Sequence, residues 1–128
     1  MTESFKNELI KAGVDYKGAV ARFIGSEEVY EQFLYRFTCD KNLSQLEECL
    51  EKGDIETAFK RAHTLKGLSG NYGFNKMLEA TIPVVEILRK GTANGIEEPL
   101  GKLKKTNKQV CDIINKYKNI ENQEKETY

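Results

Sequence analysis

A chain of 128 residues, 39% hydrophobic and with twenty acidic residues balanced by twenty basic ones, has room for one modest core. Its formal net charge of zero leaves no global field to draw in nucleic acid or an anionic membrane. No apolar run nears the roughly 18 residues needed to cross a bilayer, and the start is not read as a secretory leader. Cys39, Cys49 and Cys111 give neither an even-numbered disulfide frame nor a CxxC metal spacing, so they read as reduced, mostly buried thiols of a cytoplasmic protein.

Phe5, Leu9 and Ile10 recur at helical spacing between Thr2 and Ala12, which predicts a short first helix stopped by Gly13. Asp15 is placed to N-cap a second short helix reaching Ile24, with Gly25 to end it. Ser26 then caps a third, whose first turn carries Glu27 and Glu28, acids that the helix dipole favours there. Val29, Phe33, Phe37, Leu43, Leu46 and Leu50 predict one long helix from Glu27 to about Lys52, with an irregular step between Phe37 and Leu43. Gly53-Asp54 supplies a stop and a new cap, and the next helix runs to about Tyr72.

Asn75 is the predicted N-cap of the following helix, in which Met77, Ala80, Thr81, Val84, Ile87 and Leu88 repeat at threes and fours. Pro83 interrupts that run, removing one backbone hydrogen bond and crowding the preceding turn, so a kink is expected. Residues 91–95 form a loop by composition. Ile96, Leu100, Leu103, Asn107, Val110, Ile114 and Tyr117 then alternate fours and threes, a seam suited to packing along a bundle, with Pro99 tolerated in the first turn. After Lys118 the chain is almost wholly polar, so residues 1–118 are expected to form a single domain and residues 119–128 a fraying tail. Four long amphipathic segments and no alternating β pattern predict an all-α fold, an antiparallel four-helix bundle with two short N-terminal helices.

The single histidine, His63, falls in the third long segment. At about 100° per residue, Ile55, Ala58, Ala62, Leu65, Ser69 and Tyr72 form an apolar arc centred roughly 130° from it. Within roughly 60° of His63 lie Phe59, Lys66, Gly67 and Gly70, so the imidazole is expected to look outward. A glycine inside a helix costs about 1 kcal/mol relative to alanine, a cost usually tolerated where something must approach the backbone. Gly73 is explained as a left-handed C-cap, but Gly67 and Gly70 fall too early for that role. Lys66 at i+3 is within side-chain reach of His63.

His63-x-x-Lys66-Gly67, preceded by Ala62 and followed by Gly70 and Gly73, resembles the signature of histidine-containing phosphotransfer (HPt) domains. Gly13-Val14-Asp15-Tyr16, Ala19-x-x-Arg22-Phe23, Tyr30-x-x-Phe33-x-x-x-Phe37 and Gly53-Asp54 resemble the same family's N-terminal half, so the likeness covers roughly residues 13 to 91. It implies that His63 is a phosphorylated nucleophile. It further implies that Lys66 steadies the phosphoryl charge, and that Gly67 and Gly70 leave room for a receiver domain to dock. Phe59 and Phe74 are further docking candidates, whereas Leu68 reads as core edge.

The implied partners are response-regulator receivers, as phospho-aspartate donors and acceptors, for a cytoplasmic, monomeric phosphocarrier in a multistep two-component phosphorelay. No nucleic acid, membrane insertion, cofactor or metal is implied. The sequence carries no glycine-rich nucleotide loop, Walker lysine or magnesium-holding acid pair, so the chain itself is not read as an enzyme. Two alternatives stand beside this reading: a bundle that grips a receiver without transferring phosphate, and the phospho-accepting domain of a hybrid sensor kinase.

Overall fold

Side-chain caps decide where several helices begin. Thr2 Oγ1 accepts from the Phe5 amide at 3.2 Å, Asp15 Oδ1 from Gly18 at 3.1 Å, Ser26 Oγ from Val29 at 3.2 Å and Asp54 Oδ1 from Thr57 at 3.1 Å. Each satisfies an amide that has no partner inside its helix. They open α1 (Glu3–Lys11), α2 (Tyr16–Arg22), α3 (Glu27–Phe37) and α5 (Ile55–Tyr72) in a computed structural model that describes residues 1–127, with side chains described through Gln123. With α4 (Asn42–Glu51), α6 (Asn75–Arg89) and α7 (Glu97–Thr127), the described residues form seven helices and no strand.

Four boundaries differ from the sequence expectation. The second helix stops at Arg22 instead of reaching Ile24, which takes a positive φ of 52°. The long helix from Glu27 to Lys52 is two helices, because residues 38–41 leave helical geometry. There the Thr38 hydroxyl donates back to the Tyr35 carbonyl at 2.7 Å and Asp40 accepts from the Asn42 amide at 3.0 Å, local bonds that compete with the helical ladder. In α6 the helix runs through Pro83 to Arg89, and Phe74 rather than Asn75 holds the N-cap position. Pro83 sits on an exposed face. The last helix does not stop near Lys118: α7 continues to Thr127, while Tyr128 lies outside the described residues. Ile120 lines a depression with Met1, Phe5, Tyr35 and Tyr117, and Glu121 hydrogen-bonds Tyr35, so this polar-looking segment retains partners.

The core forms where α5 packs between α4 and α6, with α7 against α6 and with α1 and α3 closing onto α7. Leu34, Phe37, Leu46, Leu65, Met77, Val84, Leu88, Leu103 and Ile114 are all buried in it, each side chain of this kind contributing about 1.5–3 kcal/mol by leaving water. Among the described residues every buried side-chain nitrogen and oxygen has a hydrogen-bond partner. The three cysteines are free thiols. Cys39, expected to be buried with the others, is exposed at the α3–α4 break, whereas Cys49 and Cys111 are half-buried. Desolvation pushes the Cys111 thiol up to about 11.

One corner ties these helices together. At the end of α5 the chain turns through Gly73 at φ 75°, and the carbonyls around it each find a donor. The Ser69 carbonyl accepts from the Phe74 amide at 2.9 Å and the Gly70 carbonyl from the Gly73 amide at 3.3 Å. The Asn71 carbonyl accepts from Arg22 Nε at 3.1 Å, and the Tyr72 carbonyl from the buried Tyr30 hydroxyl at 2.7 Å. The Gly73 carbonyl takes the Asp15 amide at 2.8 Å, beside an antiparallel bridge between Val14 and Phe74. Burial raises the Tyr30 phenol above its ordinary range, which keeps it a donor.

A Cβ on Gly73 would stand 2.6 Å from the Asp15 carbonyl oxygen, whereas one on Gly53, also at positive φ, would meet nothing within 4 Å. Gly53→Ala should therefore cost only the left-handed strain of roughly 1–2 kcal/mol. Gly73→Ala should cost clearly more in urea unfolding, because strain and overlap add. Equal losses would show that the Asp15 contact is soft.

Candidate functional site

The apolar arc of α5 is buried as its spacing requires: Ala58, Ala62, Leu65, Ser69 and Tyr72 face the core. Ser69 satisfies its buried hydroxyl by donating to the Leu65 carbonyl at 2.7 Å. His63, Thr64 and Gly67 on the other side are exposed, and Phe59, Lys66 and Gly70 are half-buried at its margins. The imidazole therefore points to solvent from the middle of a regular helix, with Lys66 one turn further along. Leu68 is half-buried against the core, a core-edge position.

Gly67 and Gly70 have ordinary helical dihedrals, and a Cβ built on either meets nothing within 4 Å. They differ in this from Gly18, where a Cβ would lie 2.2 Å from Asp15 Oδ2. Neither backbone conformation nor close helix packing demands glycine at 67 or 70. The missing side chains leave space only on the outside, next to His63.

Phe59 lies one turn before His63, its ring centroid 5.9 Å from that of the imidazole. Its body packs against the core while an edge remains available beside the histidine. Phe74 does not join this face. It is 1% exposed, stacked on Tyr72 at 5.2 Å and edge-on to Phe37 at 5.0 Å, so as a docking residue it is corrected to a core residue. A continued helix would have carried Phe74 to within about 20° of His63; the left-handed turn at Gly73 drops it into the core instead.

Arg89, which periodicity did not single out, reaches the same region from the last turn of α6. Its guanidinium carbon lies 5.2 Å above the Phe59 ring. Together with Phe59, Lys60, His63 and Thr64 it lines a shallow depression of about 400 Å³. Only the pairing of α6 with α5 brings it there. Among the described residues no cluster of histidine, cysteine and carboxylate side chains could hold a metal ion, and no helix is long and apolar enough to cross a membrane.

The bundle thus holds out one exposed imidazole, with a lysine one turn away and two glycines open to solvent beside it. The Hpt domain family model matches residues 33–113, more than half of the chain, from within α3 into α7. The chain belongs to the Hpt domain family, whose members act in phosphotransfer in two-component signalling and interact with the receiver domains of response regulators. The match takes in His63, Lys66, Gly67, Gly70 and Arg89; compared with the likeness seen in the sequence, it starts later and extends further into the last helix. No curated protein and no solved structure matches the chain.

Because the His63 side chain is exposed, His63→Gln should change unfolding free energy by no more than about 0.5 kcal/mol. Gly67→Ala and Gly70→Ala should each raise it, by up to about 1 kcal/mol. Thermal and urea melts check both. A loss of stability at Gly67 would mean that its missing side chain serves packing within the bundle.

Proposed function

We propose that this protein is a monomeric, cytoplasmic phosphocarrier in which His63 accepts a phosphoryl group from the aspartate of one receiver domain and passes it to another. The observation that carries this reading is an exposed imidazole flanked by two helical glycines that the fold itself does not require. A neutral imidazole needs no general base to act as a nucleophile. Its ring nitrogen lone pair attacks phosphorus, an N–P bond forms, and the P–O bond to the aspartate breaks with its electron pair left on the carboxylate. Transfer to the next receiver reverses these events on a new aspartate.

Lys66 supplies a charge-assisted contact to the phosphoryl oxygens from one turn away. Gly67 and Gly70 admit the receiver's loops to the histidine, and the edge of Phe59 offers apolar contact beside it. The chain contributes no metal or cofactor to this chemistry; its role is to place the nucleophile where a partner can reach it.

Incubation with phosphorylated receivers from the same genome tests the proposal by following label from receiver to carrier. The label should be acid-labile and alkali-stable, and it should vanish in His63→Gln; a labelled His63→Gln protein would refute the mechanism. Lys66→Ala should slow transfer or shorten phosphohistidine lifetime while the fold survives. Gly67→Gln should block transfer with stability equal or higher, because it fills the docking space and nothing else.

A further inference from the structure

We propose that the groove between α6 and α7 is a binding site for a small aromatic carboxylate, separate from the His63 face and independent of how that face is read. The groove has a volume of about 780 Å³, within the roughly 300–1,000 Å³ usual for small-molecule sites. It shares no lining residue with the depression around His63. Its length decides the kind of occupant. The lining runs from Lys76 to Pro83 on α6 and from Glu98 to Thr106 on α7, which at 1.5 Å per residue is about 11–12 Å. That is the length of one or two rings with a short side chain, whereas a standard protein interface takes about 800 Å² from each partner.

Charge sets the polarity of the site. Lys76, Lys102 and Lys105 line it against Glu79 and Glu98, so one positive charge is unmatched and a monoanion complements it. Lys102 is paired with Glu98 at 3.9 Å. Among the described residues Lys76 and Lys105 have no carboxylate within 4.0 Å. Packed side by side and joined only by residues 90–96, α6 and α7 run in opposite directions, which puts Lys76 and Lys105 at one end of the groove and Pro83 and Pro99 at the other. The Lys76 stem lies over Gly13, where a Cβ would stand 3.0 Å from its Cγ and Cε, so its ammonium is tethered at that end. The proline end holds the start of α7, whose dipole Glu97 and Glu98 in the first turn already meet. The anion is therefore directed to the lysines.

Between the two ends the rings of Pro83 and Pro99 and the methyl of Ala80 give an apolar surface. Proline rings and aromatic faces are partners in recognition, as where aromatic-lined grooves take proline-rich segments. Pro83 also has no amide to give the Glu79 carbonyl, so that carbonyl, on a residue of the groove, is left to accept from an N–H of the occupant. Carboxylate, flat apolar body and ring donor together define the class.

The test titrates indole-3-propionate into the full chain and follows backbone amides by proton–nitrogen NMR. The neutral indole-3-propionamide and octanoate are titrated alongside, and the double variant Lys76→Met/Lys105→Met removes both charges while keeping the stem over Gly13. The expected result is saturable shifts centred on Ala80, Lys102 and Lys105. Binding should be several-fold weaker for the amide, for octanoate and in the double variant, whose melting temperature should be unchanged. Shifts that fail to saturate or centre elsewhere would overturn the proposal, as would equal binding by the neutral amide or by the double variant. Equal binding of octanoate would assign the groove to an acyl chain, and the same shifts produced by raising the protein concentration alone would assign it to a second copy of this chain; either result sinks the aromatic carboxylate.

Discussion

The end of a helix leaves carbonyl groups with no partner of their own, and in this protein the way α5 meets that demand organises the rest. Its terminal carbonyls are bonded by an arginine from α2, a tyrosine hydroxyl from α3 and the backbone between α1 and α2. Leaving any buried one bare would cost about 1–3 kcal/mol. Three separate segments are thereby fastened to one turn. Since Tyr72 also donates its own hydroxyl to the Phe33 carbonyl at 2.9 Å, the rotation of α5 about its axis is fixed as well, and with it the direction in which His63 points.

Much of this was readable from residue type and spacing. The caps at Asp15, Ser26 and Asp54 are contests between neighbours in sequence, and the buried arc of α5 follows from periodicity alone. The irregular step between Phe37 and Leu43 is visible in the spacing, but not that it separates two helices, because the break turns on Thr38 and Asp40 withdrawing backbone partners while the apolar spacing still suggests continuity. The length of α7 escaped because its polar final segment gains partners from α1 and α3, elements far away in sequence. Of the site, His63, Lys66, Gly67, Gly70 and Phe59 share one helix and one face, so a helical wheel suffices to group them. Arg89 belongs to another helix, and Phe74 depends on a left-handed residue, so neither yields to the same treatment.

The energetics separate stability from recognition. The two glycines beside His63 give up about 1 kcal/mol each of helix propensity, in a fold of a class whose net stability is typically 5–15 kcal/mol. Nothing in the bundle recovers that loss, because both positions face open space.

His63 lies more than two turns from either end of α5, beyond the reach of the partial charges at helix termini, which fade within the first and last turn. An anion gained or lost at that position is thus neither welcomed nor repelled by the dipole of the helix that carries it. In the proposed relay the dipole of α5 therefore adds no slope toward loading or unloading, and any bias from the carrier comes from side chains such as Lys66.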